Sequence, residues 1–135
     1  MPNAAQALCD SGPLVALFDT RDPDHPQSRA ALEAFEGRLL TTWPVLTEVF
    51  RFLNSRQQSY VWDFILSGGL SVADVLSADL PRLRDLMAKY ADLPMDLADG
   101  SLVVVAERLG LRSVFSLDRH FLVYRPRHAP GFEVI

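Results

Sequence analysis

The chain has a single cysteine, Cys9, among its 135 residues. That excludes an intramolecular disulfide and any zinc site built from cysteines. Glycine (7) and proline (9) are too few for a collagen-like or low-complexity polypeptide. No apolar run approaches the roughly 18 residues of a membrane span, and no basic stretch precedes an apolar one at the N-terminus. The expectation is a soluble, cytoplasmic chain with no membrane partner. Positive charge is also scarce. There are 13 basic residues against 17 acidic ones, a net charge of −4, so the chain is no polycation that grips nucleic acid by bulk charge. Lys89 is the only lysine, and the other basic residues are arginines.

What is present is apolar surface. A hydrophobic fraction of 49% rules out disorder as the main state. Residues 1–135 have the length of one domain with its own core. Short apolar runs alternate with helical stripes. Ala7-Leu8-Cys9, Leu39-Leu40-Thr41-Thr42, Leu70-Ser71-Val72, Ser113-Val114-Phe115-Ser116 and Phe132-Glu133-Val134-Ile135 read as strands. Helices are expected from about Pro13 to Phe18, Pro26 to Phe35, Pro44 to Leu53, Gln57 to Leu66, Ser77 to Tyr90 and Met95 to Leu109, the last capped by Gly110. Such alternation predicts an α/β fold with a mostly parallel sheet.

In open parallel sheets, ligands bind outside the carboxyl ends of the strands. Asp10 and Asp118 follow two predicted strands, and Glu48 lies in the first turns of the helix after another. Asp96 and Asp99 open the long helix three residues apart, hence on one face. Carboxylates gathered at one edge repel one another, and a hard divalent cation relieves that repulsion. One such ion, or two, can activate water for phosphoryl displacement. His25, His120 and His128 share no metal-binding spacing. Each acid also has a plainer reading. Asp10 and Asp118 fit turn or cap positions, Asp96 fits either a ligand or a helix cap, and Glu48 fits a solvated helix acid.

Four segments in order resemble the PIN domain nucleases, particularly the VapC-type toxins of toxin–antitoxin pairs. They are Leu8-Cys9-Asp10-Ser11, Thr41-Thr42-Trp43-Pro44-Val45-Leu46-Thr47-Glu48, Leu97-Ala98-Asp99-Gly100-Ser101 and Val114-Phe115-Ser116-Leu117-Asp118. The resemblance implies a PIN-like three-layer α/β/α sandwich whose five-stranded, mostly parallel sheet has the order 3-2-1-4-5. It implies an endoribonuclease dependent on Mg²⁺ or Mn²⁺, with Asp10, Glu48, Asp99 and Asp118 as catalytic metal ligands. Asp96 is a further acid of this set, and Ser11 and Ser116 are supporting hydroxyls. Cleavage would leave a 5′-phosphate. Gly100 and Ser116 depart mildly from the pattern, where Ala and Thr are more usual. Arg51, Arg119, Arg125 and Arg127 are candidates for contacts with RNA phosphate.

The same resemblance implies a cognate antitoxin as partner, and a second copy of the chain as another. The helices from about Pro44 to Leu66 carry more aromatic side chains than one sheet face can bury. Phe50, Phe52, Tyr60 and Trp62 are therefore expected to line a groove for the antitoxin, with a well-filled core as the alternative. Two other functions fit parts of the pattern. A phosphotransfer α/β domain needs a lysine at a strand end, which Lys89 does not supply. A non-cleaving PIN-like interaction module would not need all four acids.

Overall fold

Five strands and six helices occupy residues 5–135, the part of the chain that this computed structural model describes. Strand β1 (Gln6–Cys9) leads into helices α1 (Ser11–Phe18) and α2 (His25–Ala34). Strand β2 (Arg38–Thr42) leads into α3 (Trp43–Phe52) and α4 (Ser55–Leu66). Strand β3 (Leu70–Ala73) is followed by a 3₁₀ turn at Ser77–Asp79, then α5 (Leu80–Lys89) and α6 (Leu97–Leu109). Strand β4 (Ser113–Phe115) reaches β5 (Glu133–Val134) through a 3₁₀ turn at Arg119–Leu122. All pairings are parallel and the order is β3-β2-β1-β4-β5, as the resemblance implied.

Burial along β1 explains the layering. Neighbouring side chains on a strand point to opposite faces, yet Ala7, Leu8 and Cys9 are all fully buried. Both faces of the central strand are therefore covered, which makes three layers. Burial also pushes the Cys9 thiol far up from its usual pKa, so it packs as a small hydrophobe and is no nucleophile.

Helix α6 is the core helix. Every residue from Ala98 to Ala106 is buried, and it packs against α3, α5 and β2. Gly100 permits the close approach of α5, since a Cβ there would stand 2.5 Å from Leu83 Cδ1. Gly110 closes the helix in the left-handed conformation (φ +70°) and donates its N–H to the Ala106 carbonyl.

Several boundaries differ from the sequence expectation by a residue or two, and three of them have a plain local cause. Helix α1 starts at Ser11, two residues early, because the Asp10 carboxylate accepts the Ser11 N–H and caps it. The helix expected from Ser77 is split, because Pro81 has no N–H to continue the turn that Ser77 begins, and α5 restarts at Leu80. Helix α6 starts at Leu97 because Asp96 caps it by accepting the Asp99 N–H.

The strand order reverses about β1, with β2 on one side and β4 on the other, and this opens a crevice beyond its carboxyl end. A buried hydroxyl chain fixes the width of that crevice. The Ser101 hydroxyl donates to the Ala98 carbonyl (2.6 Å), so Thr42 is the donor in the 2.6 Å contact between the two hydroxyls. The end of β2 is thereby tied to the first turns of α6. Thr41 makes a matching bond across the sheet, donating to the Cys9 carbonyl at 2.9 Å.

Leu102 is fully buried midway along α6. Leu102→Ala is expected to lower unfolding free energy by about 2–5 kcal/mol. Urea titration should show this as a lower midpoint at an unchanged slope.

Candidate active site

The sheet edge gathers the five acids singled out from the sequence. Asp10 follows β1 and Asp118 lies three residues beyond β4. Asp96 and Asp99 begin α6, and Glu48 sits in the second turn of α3. Asp10 and Asp99 are each only 6% exposed. Among the described residues, no lysine or arginine forms an ion pair with either.

Capping and clustering are done by the same side chains. Asp10 Oδ1 accepts the Ser11 N–H at 2.8 Å, while Oδ2 accepts the Ser116 hydroxyl at 3.0 Å. Asp96 Oδ1 accepts the Asp99 N–H at 2.8 Å, and the Asp96 carboxyl also meets Glu48. Asp118 Oδ1 accepts the His120 N–H at 2.8 Å. Asp118 Oδ2 lies 3.1 Å from His120 Nδ1, without the alignment of a hydrogen bond. The plain cap reading of these aspartates thus holds alongside their clustering. Each cap engages one carboxylate oxygen, and the second oxygen of Asp10 takes the Ser116 hydroxyl.

The electrostatics follow from burial. Asp99 is pushed up to about 7, first by burial and then by the charges of Asp96 and Asp10. The Tyr124 hydroxyl, donating to Asp99 Oδ2 at 3.0 Å, and the Asp96–Asp99 backbone bond pull the other way. Asp10 is also raised, chiefly by burial, against the lowering effect of Ser11 and Ser116. Glu48 is raised by burial and by Asp96, and the Ser11 hydroxyl opposes the shift. Helix α1 and helix α6 point their N-termini at this edge, which favours negative charge there.

The donor set consists of carboxylate and hydroxyl oxygens, which suits a hard divalent cation. Among the described residues, no three His, Cys, Asp or Glu side chains form a ready coordination cage. An ion such as Mg²⁺ takes one or two carboxylates directly and keeps several waters. Buried, like-charged acids with no basic partner among the described residues fit such an ion.

The arginines separate into two groups. Arg51 and Arg119 are exposed, close in sequence to Glu48 and Asp118. Arg125 folds back on the Leu122, Val123 and Tyr124 carbonyls. Arg127 donates its backbone N–H to Glu107, which also holds Arg82 in a paired contact. The Arg125 guanidinium thus serves the C-terminal loop, and Arg127 is anchored there through its backbone.

The aromatics separate as well. Phe50 and Trp62 meet edge to face (5.4 Å) and line a groove with Trp43, Leu46 and Thr47. Phe52 is 67% exposed outside that groove, and Tyr60 lines a different hollow beside Phe18 and Phe64. Sequence reasoning missed Tyr124. It is fully buried against Tyr90 and Phe121, and it orients Asp99. Its signal was weak, since it sits in an irregular segment with no periodic pattern.

With this geometry in hand, the chain can be compared with known proteins. A family model described as PIN domain matches residues 7–125. Ribonuclease VapC26 of Mycobacterium tuberculosis is 27% identical over 133 residues, covering 95% of this chain and 98% of that protein. Among solved structures, Mycobacterium tuberculosis VapC20, a sarcin–ricin loop cleaving toxin, superposes with a TM-score of 0.80 at 16% identity, covering 91% of this chain and 98% of that one. A toxin–antitoxin complex from Klebsiella pneumoniae gives 0.65 at 20% identity, over 84% and 87% of the two chains. VapBC2 of Rickettsia felis, bound to a promoter DNA fragment, gives 0.61 at 12% identity, over 96% and 97%. These structural likenesses share the fold.

The raised acids give a pH dependence of known sign. For Asp99 the folded chain binds its proton more tightly than the unfolded one, whose value is near 3.8. The stability it contributes is full below that pH and is lost as pH rises through about 7. Melting temperature of the metal-free protein is therefore expected to fall across this window. Asp99→Asn should flatten the fall, and Mg²⁺ or Mn²⁺ should raise the neutral-pH melting point of the wild type most. A slope unchanged by Asp99→Asn would show that Asp99 does not carry the repulsion.

Proposed function

We propose, from the fact that this chain belongs to the PIN domain family, that it is a metal-dependent endoribonuclease and the toxin of a toxin–antitoxin pair. The observation that carries this reading is the burial of Asp10 and Asp99 at the sheet edge, with no basic partner among the described residues, beside Asp118, Asp96 and Glu48. Ribonuclease VapC26, similar over nearly the full length of both chains, supports the substrate class. The chain acts as a single domain over residues 1–135 and works in the cytoplasm. Among the described residues, no helix is long and apolar enough to cross a membrane.

Mg²⁺ or Mn²⁺ would be held by Asp10, Asp99 and Asp118, directly or through water, with Glu48 and Asp96 completing the negative edge. When bound, the ion supplies an activated water and neutralises charge on the phosphate, in the manner of phosphodiester hydrolases. The protein's part is positioning. Ser116 and the Ser11 N–H fix both oxygens of Asp10. Tyr124 fixes one oxygen of Asp99 from within the core. Glu48 faces the Asp96 carboxyl, whose charge helps raise it, and the Ser11 hydroxyl steadies it from the other side. The attacked phosphodiester would lose its 3′-oxygen and leave a 5′-phosphate.

Partners follow from the same family. The groove of Trp43, Leu46, Thr47, Phe50 and Trp62 is suited to the apolar face of an antitoxin helix. A toxin–antitoxin complex is among the structures of like fold. A second copy of the chain is a further partner under this reading.

Asp99→Asn is nearly isosteric but lacks the charge that holds the cation. It is expected to abolish metal-dependent cleavage of RNA while melting no lower than wild type without metal. Retained cleavage by rigorously purified Asp99→Asn would remove Asp99 from the site. Trp62→Ala is expected to weaken binding of the cognate antitoxin by about tenfold or more, as loss of a central aromatic anchor does. Its basal cleavage should match wild type. Undiminished affinity would place the antitoxin elsewhere.

A further inference from the structure

The nuclease reading leaves open how an acidic protein holds RNA. One of its candidate phosphate-binding arginines, Arg125, has its guanidinium occupied by carbonyls of the C-terminal loop. The net charge is −4, and the wall of the site is carboxylate. Charge alone is a poor source of grip here, and stacking is the sequence-tolerant alternative for unpaired RNA.

Trp43 offers such a surface. It is the first residue of α3, and the residue is 49% exposed although its side chain is large and aromatic. The ring is not loose, because Nε1 donates to Asp74 Oδ1 at 3.1 Å. It borders a hollow of about 440 Å³, within the size range of small-ligand sites. Pro44 and Leu97 extend the apolar side, and Leu97 is 51% exposed. Glu48 and Asp96, both members of the acid cluster, line the same hollow. An exposed, tethered indole thus shares a cavity with the residues proposed to cut.

We infer that this hollow is a nucleobase subsite, in which Trp43 stacks an unpaired base of the RNA next to the scissile phosphodiester. The inference rests on the nuclease reading for its substrate, RNA. The tether to Asp74 holds the ring ready before RNA arrives, so little side-chain freedom is lost on binding. Stacking on one indole face requires that the base be out of a duplex, so the subsite selects loops and single strands over paired RNA.

Trp43 and Trp62 are the only tryptophans, so a Trp62→Phe protein reports on Trp43 alone by fluorescence. The probes are a single-stranded oligoribonucleotide and the same sequence annealed to its complement, titrated in EDTA so that nothing is cleaved. The single strand is expected to quench Trp43 fluorescence and the duplex is not. Trp43→Ala should weaken single-strand binding roughly tenfold, while Trp43→Phe, which keeps an aromatic face, should restore most of it. With Mg²⁺ or Mn²⁺ present, Trp43→Ala should raise KM by a similar factor and leave kcat within about twofold. Cleavage by wild type with no quench, and with equal KM for Trp43→Ala, overturns the subsite and leaves the nuclease reading standing. Failure of wild type to bind or cleave any RNA overturns both. Quenching by an apolar helical peptide but not by RNA makes the hollow a protein-docking surface and also overturns the subsite.

Discussion

Asp10 and Asp99 are nearly as buried as the leucines around them, yet both are carboxylates and no basic side chain among the described residues pairs with them. Burying charge in this way is unfavourable, and the surrounding structure is arranged to tolerate it. Hydrogen-bond donors replace a counter-ion. Ser11 and Ser116 serve Asp10, and Tyr124 and the Asp96 cap serve Asp99. Two helix N-termini add favourable dipoles. Even so, Asp99 remains raised to about 7, so the compensation is partial. A fold that keeps unrelieved negative charge in its interior is poised for a cation, and this links the architecture to the chemistry.

The hydroxyl chain from Thr42 through Ser101 to Ala98 belongs to the same logic. It locks the end of β2, and with it the start of α3, to the first turns of α6. Trp43 and Glu48 are thereby held at a fixed distance from Asp99, although the segments are far apart in sequence. Polar groups buried at a sheet edge are tolerated when each has a partner, and a fully partnered set of this kind rigidifies its surroundings. The active-site edge is thus rigid because of its buried hydroxyls, before any ligand is present.

Much of this was legible in the sequence for identifiable reasons. The strands were short apolar runs ended by an acid or a turn, and the helix α6 was an unbroken apolar stretch from Leu102 to Ala106 with Gly110 behind it. The acids stood out because strand ends and helix starts are where the chain changes direction, so Asp10, Asp96 and Asp118 could be placed at one edge from order alone. The cap and cluster roles looked like alternatives because a sequence gives one letter per residue, whereas a carboxylate has two oxygens that can do different things. Tyr124 was illegible because its partner, Asp99, is 25 residues away in sequence and its own segment is irregular. Arg125 was hard to read for a related reason. An arginine near the end of a chain looks free until the carbonyls that its guanidinium satisfies are seen.

The placement of Trp43 ties regulation to catalysis. It lines both the apolar groove with Phe50 and Trp62 and the hollow with Glu48 and Asp96. Thr47 borders both spaces as well, so the groove and the hollow adjoin along the first turns of α3. An antitoxin helix seated in the groove would touch the residue proposed to stack the base, and binding of the two partners would be coupled through Trp43. Such coupling needs only that each partner change the free energy of the other's contact with that ring. It requires no change in the shape of the fold.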